Sequence, residues 1–558
     1  MLQIKGLNPR QRYLIKAIFW LTAILLGSIQ AWSHRYTLSS GDCISYLDIG
    51  EAYLRGEWSQ AINGYFNPLY SWLLAFLLSI LKPSIYWEFF AVKIVNFFIY
   101  LLSLICFEFL MNEIIFSYNQ KLSKASEGQY LIIPEWIWLV SGYTLFLWAA
   151  LKWIGVNNDT PDMCVATLVY AAAAIVLRVQ NRSADWWQFV LLGTFLGLGY
   201  LSKAIMFPMA FIFLGTCFFS VGNIRRALPR ILVAILVFSL ISAPFLLALS
   251  STKGYLTFGR VGKLNYAWLV NEIPSRHWQG DPPGSGTPKH PTRKVFDNPA
   301  IYEFATPLTG TYPAGTDPSY WYEGVTPKFD LTKQLGKIWY HAQKYYRIFF
   351  GFFLFGYLTL AYLDGRGWLL IKDLIRNWRL IIPACAGLGA LMLVHVRPRL
   401  IAAFIVLLFA GSFSSIRLPN SQESKRLIIG MTLGLLLLIG GEFTDIWQNP
   451  GEPIHWKIAQ GLQQLGVEAG EPVAILGSYH DGSRYYWARL ARVKIVAEID
   501  DVKSFWEADD LTRAKIYETI AQTGAKVIVQ KLGEKLPISL SASDWQEIND
   551  TDCYAYFV

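Results

Sequence analysis

Long apolar runs alternate with short polar segments along most of the chain. A helix needs about 20 mostly apolar residues to cross the hydrocarbon core of a bilayer, and the shortest cross with about 17. This pattern predicts eleven membrane-spanning helices. They are expected at 14–33, 88–111, 131–152, 162–179, 187–203, 204–220, 231–250, 346–363, 380–396, 399–416 and 427–444. The apolar segment 68–81 is shorter than a crossing requires, which favours an interfacial or re-entrant helix.

The basic residues between the runs orient the chain. If the N-terminus is cytoplasmic, the inner segments are rich in Lys and Arg and poor in acids, as cytoplasmic loops are. These segments are 1–16, 117–130, 178–187, 221–230, 364–379 and 416–426. Treating 68–81 as a crossing would put the later basic loops outside. We therefore expect a multi-pass protein of the cell (inner or plasma) membrane with its C-terminal domain outside.

Four regions follow from this reading. Residues 1–250 form the first transmembrane module, with a first outer loop at 33–87, and residues 251–345 form a long outer loop. Residues 346–444 form the last transmembrane helices, and 445–558 an extracytoplasmic α/β domain.

The last of these regions alternates short apolar strands with helices, which predicts a small, mainly parallel sheet. The strands are expected at Val473–Leu476, Val493–Val496 and Lys526–Gln530, and the helices at Tyr485–Leu490 and Leu511–Gln522.

Composition supports a membrane protein. The chain is 54% hydrophobic and 16% charged, whereas soluble domains carry about 25% charged residues. The net charge of +9 is explained by cytoplasmic loops, and no nucleic-acid motif is present. The six cysteines have neither metal nor redox spacing and are expected to pack as small apolar residues.

Acidic residues stand at two places on the predicted outer face. Asp42 precedes a partly amphipathic segment of the first loop, where a helix N-cap belongs; capping alone would explain it, although a cap carboxylate can also point into a cleft. Asp159 and Asp162 lie in the sequence NNDTPDM between two spans. Asp159 or Thr160 fits a cap with Pro161 at the first helical position.

Cations are expected on the same face. Lys203 ends an apolar run, and a snorkelling lysine is the simplest explanation for it. His395, Arg397 and Arg399 crowd the outer end of the ninth and tenth predicted spans. Basic residues on an outer surface run against the usual trend, so an anionic partner is the simplest reason for them. A carboxylate base beside fixed positive charge suits transfer from a lipid phosphate.

This constellation resembles the GT-C superfamily of membrane glycosyltransferases, particularly the protein O-mannosyltransferase and aminoarabinose transferase branch. The similar segments are GDCISYLDIGEAYLRGEW, NPLYSWLL, NNDTPDM, GLGYLSKAIMFP and VRPRLIAAFIV. The resemblance covers about the first 220 residues with fair specificity and the remainder loosely. Relatives often carry Lys or His before Pro-Pro where this chain has Asn67-Pro68-Leu69.

The resemblance implies a hexosyl or pentosyl transferase of cell-envelope glycans that uses a polyprenyl-phosphate sugar and inverts the anomeric centre. The acceptor would be a hydroxyl of a glycan, lipid or protein. Asp42 would be the catalytic base, and Asp159 or Asp162 would bind the acceptor or orient the site. Lys203, His395, Arg397 and Arg399 would hold phosphate, and Tyr46 and Asn67 would support the first loop.

Other functions stay open. A polytopic transporter or flippase of a lipid or glycan is one, although no internal repeat is evident. A non-catalytic assembly factor, with Asp42 only a cap, is another. We expect no obligatory metal, yet Asp42, Asp159 and Asp162 supply oxygen ligands that a divalent ion would accept.

Overall fold

The computed structural model describes residues 7–123, 130–182, 184–280, 282, 284–304, 309–349, 355–477, 485–531 and 544–558. Its helical part is a membrane module, and its sheet combines strands of the C-terminal part of the chain with two short strands of the long outer loop. Helices α1–α11 are Pro9–Ser33, Asp42–Arg55, Trp58–Ala61, Pro68–Leu81, Glu88–Ser123, Glu135–Leu147, Asp162–Asn181, Trp186–Ser202, Met206–Ser220, Ile224–Lys253 and Val261–Leu269. A π-helical segment, Trp148–Ile154, continues α6.

The second half of the chain contains further helices and the strands. Helices α12–α23 are Pro313–Thr316, Pro318–Trp321, Leu331–Phe349, Phe355–Asp364, Trp368–Arg376, Trp378–Val394, Pro398–Phe413, Gln422–Glu442, Ile454–Gln464, Tyr486–Ala491, Val502–Glu507 and Asp510–Gln522. Strands β1–β7 are Arg293–Phe296, Ile301–Glu303, Pro472–Leu476, Lys494–Ile499, Val527–Lys531, Gln546–Glu547 and Cys553–Phe557.

The helices are those of a polytopic membrane protein. Within the described residues, six are long and apolar enough to cross a membrane, or seven if α16 and α17, bent by 81°, count as one span. The predicted spans at 187–203, 204–220 and 399–416 fall on the shorter helices α8, α9 and α18. The predicted span 346–363 coincides with no single helix, because α14 ends at Phe349, α15 begins at Phe355, and 350–354 lie outside the described residues.

The centre of the membrane module is α7, whose most apolar stretch is 94% buried. Its run of four alanines, Ala171–Ala174, is almost wholly buried, and small side chains let neighbouring helices approach closely. Small residues act similarly where α8 meets α10: a Cβ at Gly193 would lie 2.4 Å from the carbonyl oxygen of Ala234. These contacts hold the ends of α7 and α8 in place.

The first outer loop folds into α2, α3 and α4. Helix α2 ends at Arg55 and is capped by Gly56, which takes the left-handed conformation with φ 71° that glycine adopts readily. Helix α4 has the bounds predicted for a short apolar helix, with Pro68 at its first position. The predicted position of Asp42 at the N-cap of α2 is wrong: Gly41 is the N-cap, and Asp42 is the first helical residue.

The sheet has the strand order β1-β2-β4-β3-β5-β7-β6. Its centre is parallel, since β3 pairs with both β4 and β5 in that sense, whereas β1–β2, β2–β4, β5–β7 and β6–β7 are antiparallel. The expectation of a mainly parallel sheet is therefore wrong for the sheet as a whole. The short strands β1 and β2 belong to the long outer loop, so this loop and the C-terminal region form one sheet.

Candidate active site

A cavity of about 480 Å³ lies between the first outer loop, the end of α8, the long outer loop and the turn before α18. It gathers residues that are far apart in the sequence. From the predicted site it is lined by Asp42, Tyr46, Asn67, Lys203, His395, Arg397 and Arg399. The long outer loop adds Trp268, Arg276, His277, Trp278, Tyr312, Trp321 and Tyr322, among others.

Asp42 supplies the carboxylate of this cavity. It is the first residue of α2, and no hydrogen bond or ion pair joins its carboxylate to the residues that the structure describes. Burial raises the pKa of Asp42, although the positive charges of Arg399, Lys203 and Arg397 oppose that rise. A carboxylate with a raised pKa and free lone pairs is suited to accept a proton.

Asp162 lies behind the cavity wall at the start of α7 and is 3% exposed. Its carboxylate accepts a hydrogen bond from Lys203 Nζ at 2.5 Å and another from Thr160 Oγ1 at 2.7 Å. Arg399 Nε lies 3.3 Å from its second oxygen. Asp162 thus orients two cavity cations, Lys203 and Arg399, by binding both of them.

Arg397 and His395 flank Arg399 in the turn before α18. Arg397 is exposed and is the N-cap residue of α18, where a positive potential already favours anions. Burial, together with the charge of Arg397, lowers the pKa of His395 to about 4. His395 is therefore neutral near pH 7, and the fixed positive charge of this turn comes from the arginines.

Asp159 has different surroundings from Asp162. Its carboxylate and the ammonium group of Lys93 are both fully buried, with 2.5 Å between Nζ and Oδ2. Asn96 and the backbone N–H of Ser39 also donate to it, at 3.0 and 2.8 Å. Asp159 lies outside the lining of the cavity, and it ties the second acidic loop to α5 and the first loop. The expected N-cap of α7 is also wrong, because Pro161 occupies that position.

Tyr46 and Asn67 lie beneath the cavity on the first loop. Tyr46 packs edge-on against Phe66 and Tyr70, with centroid distances of 4.8 and 5.1 Å. Asn67 donates from its amide to the carbonyl oxygen of Tyr200 at 2.8 Å. This contact fixes the first loop to the end of α8, three residues before Lys203.

Sequence analysis missed the aromatic wall of the cavity. Tyr65 and Trp268 lie 5.6 Å apart by ring centroid, and Trp268 packs edge-on against Tyr322 at 5.2 Å. The segment around Tyr312 is fixed to α2, because Ser45 Oγ donates to the carbonyl oxygen of Gly315 at 2.8 Å. The aromatic run GTYPAGTDPSYWYEG was the available signal, but it has no periodicity that would place it above Asp42.

A second cavity, of about 760 Å³, adjoins the first. Arg397 and Arg399 line both cavities. The second is bounded by the C-terminal ends of α1 and α19 and by the π-helical segment. Its other lining residues include His34, Trp148, Lys152, Trp153 and Asn158. A group bound by the two arginines is therefore accessible from either cavity.

The three acids do not form a common metal site. Asp159 is neutralised by Lys93, and Asp162 is bound by Lys203 and Arg399. Of the three acids, only Asp42 has oxygen atoms without a partner among the described residues. In the described part of the chain, no three His, Cys, Asp or Glu side chains are grouped as metal ligands.

The chain is similar to solved structures of known proteins. No protein-family model and no curated protein matches the chain. The oligosaccharyltransferase of Archaeoglobus fulgidus in its apo form is similar over 93% of this chain and 70% of its own, with 14% identity and a TM-score of 0.50. Its complex with Zn and sulfate matches over 92% and 68%, with 13% identity and a TM-score of 0.49.

ArnT from Cupriavidus metallidurans bound to undecaprenyl phosphate also matches, over 97% of both chains, with 13% identity and a TM-score of 0.40. The apo oligosaccharyltransferase match covers the membrane helices together with the C-terminal domain, as its coverage of this chain shows. This chain has the fold of the GT-C membrane glycosyltransferases.

Proposed function

We propose that the protein is a glycosyltransferase that moves a sugar from a polyprenyl-phosphate donor to an acceptor hydroxyl, with Asp42 as the catalytic base. One observation carries the proposal: a half-buried carboxylate without a protein partner among the described residues shares a cavity with Lys203, Arg397 and Arg399. The oligosaccharyltransferase with the same fold is named for glycan transfer, which is the same class of reaction.

The chemistry follows from this pairing of charges. The acceptor oxygen attacks the anomeric carbon while its proton passes to the Asp42 carboxylate. The bond between the anomeric carbon and the phosphate oxygen breaks, and the electron pair leaves with the lipid phosphate. Lys203, Arg397 and Arg399 stabilise the negative charge of that leaving group. A single displacement of this kind inverts the anomeric centre.

Asp162 acts in this scheme as an orienting residue. It holds Lys203 and Arg399 at its own carboxylate, so the two cations are fixed before substrate binds. Preorganised charge of this kind costs no reorganisation during the reaction. A transporter or an assembly factor has no need of a free carboxylate beside such a cation cluster.

The test compares Asp42→Asn with the wild-type protein in proteoliposomes. Undecaprenyl-phosphate sugars with a radiolabelled hexose or pentose are the donors, and glycan or lipid fractions from the host envelope are the acceptors. We expect transfer to fall by about 10²–10⁴-fold, the usual contribution of a general base. The expression level and the thermal unfolding midpoint should stay unchanged, since no described residue forms a hydrogen bond or ion pair with the Asp42 carboxylate. Normal glycan output from this variant would refute the base assignment and favour transport or assembly.

We also propose that transfer requires no obligatory divalent metal, because Asp159 and Asp162 are each paired with cations and, among the described residues, only the Asp42 carboxylate has no partner. Incubation with EDTA should leave the rate unchanged. Loss of transfer that Mg²⁺ or Mn²⁺ restores would contradict this.

The cavity is proposed to face the extracytoplasmic side, with the N-terminus in the cytoplasm. The basic loops support this orientation. Single cysteines introduced at exposed positions 59 and 447 should react with an impermeant maleimide in intact cells, and one at exposed position 426 should not. The reverse labelling pattern would overturn the orientation.

A further inference from the structure

A buried arginine of the C-terminal domain binds the helix that carries Asp42. Arg489 in α21 is 2% exposed. Its Nη1 donates to Asp48 Oδ1 and its Nε to Glu88 Oε1, both at 2.8 Å, and its Nη2 donates to Glu51. Asp48 and Glu51 belong to α2, and Glu88 begins α5. One guanidinium therefore joins the C-terminal domain to two helices of the membrane module.

Burial makes this contact more than an ordinary surface ion pair. Asp48 and Glu88 are 7% and 3% exposed, and burial raises the pKa of Asp48 although the charge of Arg489 opposes that rise. Loss of one partner from such a cluster leaves uncompensated buried charge. The neighbouring Arg492 also binds Glu51 and Glu88, at 3.0 and 2.6 Å, but is far more exposed.

Asp48 is held from a second side by the long outer loop. The backbone N–H of Thr311 donates to Asp48 Oδ2 at 2.7 Å, and Thr311 Oγ1 donates to Oδ1 at 3.1 Å. The next residue, Tyr312, lines the cavity and stacks on Tyr485 beside α21, with 5.2 Å between ring centroids. The same carboxylate thus connects α2, α21 and the aromatic wall.

The position of the Asp42 carboxylate depends on the contacts that hold α2, because no described residue forms a hydrogen bond or ion pair with that carboxylate. Asp48 follows Asp42 by six positions in α2, which is about 9 Å along the helix axis. Since no described residue bonds to the Asp42 carboxylate, the placement of α2 decides where that carboxylate points. A displacement of about 1 Å in a reacting group can cost about 10²-fold in rate.

We infer that Arg489 is a positioning residue for Asp42, and that the C-terminal domain is thereby an integral part of the active site. The inference rests on the proposed function for its kinetic consequence. The structural claim, that Arg489 fixes the position of α2, does not depend on which reaction the protein catalyses.

The experiment compares Arg489→Lys and Asp48→Asn with the matched control Arg492→Lys, using the full chain in nanodiscs. The donor is the undecaprenyl-phosphate sugar that the wild-type protein accepts. We expect Arg489→Lys to lower kcat by about 10²-fold with little change in the donor KM. Arg492→Lys should change kcat less than about twofold, because this residue is more exposed than Arg489, keeps its charge and does not contact Asp48.

A pH profile separates positioning from folding. The charged groups that influence the pKa of Asp42 are Arg399, Lys203, Arg397 and Asp162. A displacement of α2 changes the distances from Asp42 to these groups, and therefore shifts the acid limb of the pH profile, the pH range over which kcat falls at low pH. A purely structural role would lower only the amount of active enzyme and leave that limb in place. Asp48→Asn should shift the acid limb of the profile in the same direction as Arg489→Lys. If Arg489→Lys does not fold, the comparison of Asp48→Asn with the wild type replaces it.

Hydrogen exchange supplies a readout that needs no catalysis. Amides of 42–55 should exchange faster in Arg489→Lys than in the wild type or in Arg492→Lys. Unchanged exchange in α2, or an unshifted profile with an unchanged kcat per active enzyme, would overturn the inference. A wild-type protein that transfers no sugar would instead overturn the proposed function, and the exchange data would still decide whether Arg489 holds α2.

Discussion

Lys203 donates from its ammonium group to the carboxylate of Asp162 across 2.5 Å, and the lysine lines the cavity whereas the aspartate lies behind it. The aspartate is buried and the lysine is partly exposed. Asp162 therefore sets the direction in which a cavity cation points, and the two residues work as a pair.

This pairing predicts the effect of Asp162→Asn. The amide keeps the shape of the side chain but removes the charge that holds Lys203 and Arg399. We expect kcat/KM for the donor to fall about 10- to 100-fold, since a hydrogen bond to a charged group contributes about 1.5–3 kcal/mol. The measurements are the kinetics of sugar transfer and the thermal unfolding midpoint of the variant. A folded variant with the kcat/KM of the wild type for the donor would refute the orienting role of Asp162.

The raised pKa of Asp42 predicts the pH dependence of transfer. A base works only when deprotonated, so kcat/KM should fall as the pH drops through the pKa of Asp42. Burial raises that pKa, which places the acid limb above about 3.9, the value for an ordinary aspartate. Arg397 opposes the rise, so Arg397→Gln should move the limb to higher pH. An acid limb near pH 4 in both the wild type and Arg397→Gln would contradict the assignment of Asp42 as the base.

Much of the membrane module was predictable because hydropathy and charge act locally along the chain. Lys203, Arg397 and Arg399 stood out as charged residues at the ends of apolar runs, and the structure gathers them in one cavity. Their shared location follows from helix ends meeting at one face. The fold class was predictable for the same reason.

Other features depend on contacts that no local pattern shows. Asp159 and Asp162 lie three residues apart, and they differ only because Lys93 of α5 reaches one and Lys203 reaches the other. The strands β1 and β2 are too short to show alternation, so their place in the sheet was not foreseen. Arg489 lies in an otherwise apolar helix of six residues, and its three partners come from distant parts of the sequence.

The two arginines before α18 should respond differently to substitution. Arg397 is exposed at the N-cap of α18, whereas Arg399 also donates to Asn158 at 2.8 Å and lies beside Asp162. We expect Arg397→Gln to weaken undecaprenyl phosphate binding by about tenfold without lowering the thermal midpoint. Arg399→Gln should weaken binding and also lower the midpoint. Native mass spectrometry and thermal unfolding provide the two measurements, and identical behaviour of both variants would contradict this distinction.

Asp159 is predicted to serve folding, in contrast to Asp162. In Asp159→Asn the ammonium group of Lys93 stays fully buried without its counter-charge. Breaking one side of such a pair costs about 3–5 kcal/mol, so the variant should unfold at a clearly lower concentration of denaturant. The double variant Lys93→Met, Asp159→Asn removes both charges and should recover much of the lost stability. The folded fraction of Asp159→Asn should keep the kcat of the wild type, because Asp159 lies outside the cavity lining. A stable Asp159→Asn variant with impaired transfer would mean that Asp159, and not only Asp162, acts on the reaction.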